Sequence, residues 1–125
     1  MLIQFTVENH RSIKNSAVIS FAASKDKSFE EYLLHPDAKK ILLPALAIYG
    51  ANAAGKSNVL HAMMTMKEMV VGNAAKVSKG QKLPWEPFGG TKEPTSFEMV
   101  FIFQGVRYTY GFSCLLYTSD AADEL

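Results

Sequence analysis

The stretch "IYGANAAGKSNVL", residues 48–60, constrains this chain most. Gly50, Gly55, Lys56 and Ser57 fill every fixed position of G-x-x-x-x-G-K-[ST]. A loop of that form has one usual setting, leaving an apolar strand and entering a helix. Both flanks agree with it. Residues 45–49 are continuously apolar, which predicts a strand buried on both faces. Beyond the loop, Val59, Ala62, Met63, Met66, Met69 and Val70 recur at spacings of three and four. That period predicts a helix starting near Lys56 and stopping at Gly72-Asn73. His61, Thr65 and Glu68 read as its polar stripe, and the methionines as core packing against a sheet.

Each fixed residue of the loop has a chemical reason. Gly50 and Gly55 allow backbone angles that side chains obstruct, so that amides of residues 50–58 can turn toward phosphate oxygens. The helix start adds the positive end of its dipole. Lys56 supplies a mobile charge for β- and γ-phosphates, and Ser57 a hydroxyl for Mg²⁺. Average residue usage makes a chance match of four fixed positions a well under ~1% event in a chain this long. No Asn-Lys-x-Asp element for guanine occurs, so ATP is the expected nucleotide.

The rest of the chain predicts an α/β domain. Residues 2–9 alternate Ile3, Phe5 and Val7 with Gln4, Thr6 and Glu8, the period of a half-buried strand. Residues 17–24 read as a second strand able to pair with it as a hairpin. Residues 25–40 are charged, with His35-Pro36, and read as a solvated loop. Residues 74–95 are rich in Lys, Pro and Gly and form a long surface excursion pinned by Trp85 and Phe88. Stacking of Trp85 on a ligand base is the alternative. Phe97, Met99, Phe101 and Phe103 then point to one face, Gln104-Gly105 turns, and residues 107–112 return as a partner strand.

Bulk properties exclude several classes. Of 125 residues, 48% are hydrophobic and 20% charged, which is ordinary for a globular domain. A net charge of +1 argues for neither a nucleic-acid nor a membrane partner. The N-terminus lacks a secretory pattern, and the most apolar run is short and broken by Pro44. A cytoplasmic chain is expected. The single cysteine, Cys114, excludes an internal disulfide.

"FTVENHRSI", residues 5–13, together with "GANAAGKSN", residues 50–58, resembles the opening of ABC-type ATPase heads of the SMC/RecF kind. Those heads begin with a strand reading F-x-x-x-N-F-[KR]-S-[FI] and carry G-x-N-x-x-G-K-S-N. The chain is similar in particular to a bacterial AAA-labelled branch reading "YGANASGKSN", associated with phage exclusion and restriction-like defence. A later pattern of that branch is matched by Pro87-Phe88, Pro94, Phe97-Glu98, Phe101, Gly105, Tyr108 and Tyr110-Gly111-Phe112. The resemblance implies a P-loop NTPase fold, with the loop residues Ala51, Asn52, Ala53 and Ala54 lying around ATP. It places Arg11 and Ser12 near the phosphates or ribose, Asn52 toward the γ-phosphate and Asn58 by the α-phosphate. It also implies two heads closing as a homodimer in the complete protein, with a nuclease or other defence partner. His10 stands where Phe is usual, and Ala54 where Ser is usual. A surface or half-buried ring is the expectation for His10.

An ATPase of this kind also needs an apolar strand ending in Asp-Glu, which places Mg²⁺ and the attacking water. "FEMVFIFQG" ends in Gln104-Gly105, and "LLYTSDAADE" has acids without the strand. No Ser-Gly-Gly signature or late switch histidine is present. Residues 114–124, "CLLYTSDAADE", resemble the conceptual translation of a transposase sequencing adapter. Residues 114–125 are therefore expected to be non-native, leaving 1–113 as the truncated N-terminal lobe of an ABC/AAA-type ATPase. The terminal Asp-Glu-Leu is accordingly not read as a retention signal. Three of the 12 acidic residues (Asp120, Asp123 and Glu124) lie in that tail, so 1–113 carries 13 basic against 9 acidic residues. That mild bias is no argument for DNA by itself. Two other classes stay open. One is a transporter-type ABC ATPase subunit, disfavoured by Asn58 where Thr is usual. The other is a non-hydrolysing, nucleotide-dependent interaction module.

Overall fold

The computed structural model describes residues 1–25, 30–36, 41–50, 55–72 and 86–115. Its sheet is built outward from β1, Leu2–Glu8. On one side β1 pairs antiparallel with β2, Ala17–Ser20, and on the other with β3, Thr95–Phe103. β3 pairs in turn with β4, Val106–Cys114, giving the order β2-β1-β3-β4. The predicted N-terminal hairpin is present, although its second strand stops at Ser20. The β3–β4 turn falls at Gln104 and Gly105, as the sequence predicts. Their φ values of 51° and 77° are the two positive angles that let a two-residue turn follow the twist of its strands.

One face of the sheet carries α1, Lys56–Val71, which has the predicted bounds. Ala62 and Met66 pack with Phe5, Val7 and Phe97, while Met63, Met69 and Met99 flank them. Full burial of a side chain such as Phe5 or Met66 is worth about 1.5–3 kcal/mol, so this contact fixes the helix on the sheet. The other face holds Ile3, Val100 and Ile102 against Leu42 and Leu34. β3 is thus buried on both sides. Strict alternation would keep Ile3 with Phe5 and Val7. The β1–β3 register shifts between Leu2, opposite Phe101, and Gln4, opposite Val100, and this irregularity puts Ile3 in the second cluster. Of the predicted aromatic row, Phe97 is buried but Phe103, at the hairpin tip, is 59% exposed.

The doubly buried strand predicted over residues 45–49 does not form. Those residues join no ladder, Leu46 and Ile48 are 40% and 41% exposed, and Tyr49 is 89% exposed. Such a strand needs neighbours along both edges and a layer on each face. The one sheet among the described residues is antiparallel and supplies neither. The docked part of the apolar run lies earlier. Leu42 exchanges backbone hydrogen bonds with Leu34, and the Leu43 N–H donates to Phe21 O at 2.7 Å. In the charged loop, Glu30–Tyr32 makes a 3-10 turn. No helix among the described residues is long and apolar enough to cross a membrane.

Candidate functional site

Gly55 lies in the left-handed region, φ 96°, and leads directly into α1. A β-carbon there would be strained by the backbone angle and would meet Ser12 Oγ at 3.2 Å. The Gly55 carbonyl accepts from the Asn58 and Val59 amides at 3.1 and 3.2 Å, which starts the helix. Among the described residues no side chain caps that start, and its first turn has no acid. The amides and the dipole there therefore suit an anion. Lys56 Nζ donates to Gly50 O at 2.5 Å, carrying the ammonium back to the glycine at the other end of the loop. Ser57 is exposed. The intervening Ala51, Asn52, Ala53 and Ala54 lie outside the described residues, as does Trp85.

The turn between β1 and β2 reaches this helix start. Ser12 Oγ accepts from Asn58 Nδ2 at 2.6 Å, so these two predicted site residues meet beside Gly55. Arg11 is engaged elsewhere. Its N–H donates to Glu86 O at 2.6 Å, and its Nε lies 3.4 Å from Glu86 Oε2.

His10, just before Arg11, departs from expectation. Its ring is fully buried, not half-exposed. Asn9 and Arg11 both take positive φ, 56° and 52°, and His10 and Ile13 exchange backbone hydrogen bonds at 2.8 Å. That tight turn drives the ring under α1. His10 Nε2 lies 3.1 Å from His61 Nδ1, with the rings stacked at 5.3 Å, and its edge meets Phe97. His61 Nδ1 is also 3.3 Å from Thr65 Oγ1. The polar stripe predicted on α1 therefore divides. Thr65 is 3% exposed and turns inward with His61, while Glu68 stays in solvent. Residues 61 and 65 are one helical turn apart and share a face, and a polar residue at position 10 gave that face a partner. His10 Nδ1 has no hydrogen-bond partner among the described residues. Burial, then the neighbouring His61 and Arg11, push the His10 pKa down to about 4, against a smaller opposing pull from Glu86.

Asn9 is the residue sequence reasoning passed over. It is 5% exposed, and its amide uses its full bonding capacity. Nδ2 donates to Glu93 O at 2.9 Å and Pro94 O at 3.2 Å. Oδ1 accepts from the Phe88 N–H at 3.0 Å and from Thr91 Oγ1 at 3.2 Å. Phe88 does anchor the surface excursion, but through its backbone on Asn9. Its advance signs were a fixed Asn in the strand pattern of the resemblance and its place at a turn, where a left-handed angle favours that residue.

Two other features are distinct from the loop. A groove of about 480 Å³ lies between the C-terminal half of α1 (Met66, Val70) and β3–β4 (Phe101, Tyr108), at the far end of the helix. Cys114 is buried at the end of β4 opposite Thr95, and burial pushes its thiol up to about 11. Among the described residues no group of three or more His, Cys, Asp or Glu could hold a metal. No protein-family model matches the sequence, and no curated protein matches it.

Proposed function

We propose that this chain binds ATP with Mg²⁺ through residues 50–58, as the N-terminal part of an SMC/RecF-like ATPase that hydrolyses ATP when complete. One observation carries the reading. Gly55, left-handed and crowded by Ser12, opens into a helix with an uncapped, acid-free start at the point the motif requires. Phosphate oxygens would accept from the amides there, and Lys56 would exchange Gly50 O for the β- and γ-phosphates. Ser57 would give its hydroxyl to a magnesium ion otherwise held by the nucleotide and water. Ser12 and Asn58 would border the phosphates, and Arg11 would reach them after leaving Glu86. Ala54 in place of Ser costs little where the backbone does the binding. The homodimer of heads, the nuclease or defence partner and the cytoplasmic setting belong to this proposal through the resemblance alone.

A non-hydrolysing nucleotide switch is the second reading, and an apolar strand ending in Asp-Glu is the feature that distinguishes the ATPase from it. Sequencing the source DNA across the Ser113 codon separates the two. A frame running on to a signature motif and Asp-Glu supports the ATPase and the adapter reading of residues 114–125. Genomic codons for "CLLYTSDAADEL" followed by a stop support the switch.

A further inference from the structure

We propose that His10 is a positioning residue for the phosphate loop: its contact with His61 holds the β1–β2 turn on α1 and thereby sets Ser12 against Asn58 and Gly55, and proton uptake by this histidine pair releases the turn. The inference rests on the reading of residues 50–58 as a nucleotide site, but its structural half stands without it.

The geometry is that of a latch with one stable protonation state. His10 is fully buried, with Nε2 on His61 Nδ1 at 3.1 Å and Nδ1 without a partner among the described residues. An unpaired buried acceptor is cheaper than an unpaired N–H, so the favoured tautomer has Nε2–H donating to His61 and a bare Nδ1. A proton added to His10 lands on Nδ1, where no described residue accepts it. A proton added at His61 Nδ1 sets two N–H groups against each other at 3.1 Å. The charged neighbours add to the effect on one side and oppose it on the other. Arg11, on the same turn, disfavours a second positive charge, and Glu86, from the segment bonded to Arg11, favours it weakly. Thr65 on α1 and Phe97 on β3, the remaining neighbours of the pair, do not titrate in this range.

The turn's other attachments carry the consequence outward. Ser12 is two residues beyond His10 and bonds Asn58 in the first turn of α1. Asn9 and Arg11, on either side of His10, hold the segment containing Glu86, Phe88, Thr91 and Glu93. Releasing His10 frees Ser12 from the loop while leaving those contacts in place, so the phosphate site alone loses its wall.

Amide hydrogen exchange of the full chain without ligand tests the latch. The His10 and Ile13 amides, bonded to each other's carbonyls, report opening of the turn. After correction for intrinsic rates, their protection is expected to fall about tenfold from pH 7.5 to pH 5.5, because the open ring regains its ordinary basicity. Val100 in β3 should stay more protected than both amides at each pH, since the turn opens without global unfolding. In His10→Phe, or in His10→Gln should the first variant fold poorly, the pH-dependent fall should vanish. Unchanged protection at His10 and Ile13 in the wild type, or the same fall in a folded variant, overturns the proposal. Titration with Mg·ATP at both pH values is a separate arm. Absence of binding at pH 7.5 counts against the nucleotide reading and with it the role at the loop, whereas binding that does not weaken at pH 5.5 while the turn opens counts against the positioning role alone.

Discussion

Ser12 Oγ accepts a 2.6 Å hydrogen bond from Asn58 Nδ2, joining positions 46 residues apart at the start of α1. The contact makes the β1–β2 turn part of the loop's surroundings. It also explains why Gly55 must be glycine twice over, by its φ of 96° and by the space Ser12 leaves.

Gly55→Ala is therefore expected to destabilise the domain by about 1–2 kcal/mol, the cost of a left-handed alanine, plus a smaller steric part. Thermal melts followed by circular dichroism should show a midpoint lower by roughly 4–16 °C for a domain of this size. Adding Ser12→Gly should recover the steric part only. A melt unchanged from the wild type contradicts the assigned loop conformation.

Asn9→Ala removes four side-chain hydrogen bonds to the segment from Phe88 to Pro94 and leaves buried partners unmatched. A loss of about 2–4 kcal/mol is expected, read as a lower urea midpoint at unchanged slope. Asn9→Asp keeps the acceptor but sets a carboxylate oxygen against the Glu93 and Pro94 carbonyls, and should lose at least as much as the alanine variant at neutral pH.

Acid should weaken the fold through His10. Its folded pKa, about 4, lies below the unfolded value near 6.5, so the native state binds fewer protons in that interval. This contribution is intact above about pH 6.5 and is lost as pH falls toward 4, with a total on the order of 3 kcal/mol. Urea titrations at pH 7.5 and 4.5 on the wild type and His10→Phe should show the difference shrink in the variant. Equal acid sensitivity of both proteins would place the effect elsewhere.

Cys114 is buried, with its thiol shifted up to about 11. At pH 8 its thiolate fraction is about 100-fold below that of a free cysteine, and modification by a disulfide reagent should slow at least that much. Rapid labelling in native buffer would mean that the end of β4 is not packed as described.

The elements that sequence made legible are those whose signals are local. α1 has both its period and its stop at Gly72, and the β3–β4 turn follows from Gln104-Gly105 between alternating strands. Residues 45–49 were misread because an apolar run states only that burial is wanted, not which neighbours provide it. Leu42 found its cluster; Leu46, Ile48 and Tyr49 did not among the described residues. His10, His61 and Thr65 were misread because each is polar, and only tertiary contact shows that polar groups can satisfy one another inside. Gly50, Gly55, Lys56 and Ser57 were legible as a motif, whereas Asn58 and the approach of Ser12 came only from a resemblance and the clamp at Asn9 from nothing local.

The most direct test is calorimetric titration of Mg·ATP into the full chain and into Lys56→Ala at pH 7.5. The account predicts saturable binding by the wild type, at least about tenfold weaker in the variant through loss of the phosphate-facing charge, with GTP binding less well than ATP. A folded wild-type chain that binds no ATP, or a Lys56→Ala chain that binds it equally, contradicts the phosphate-loop assignment.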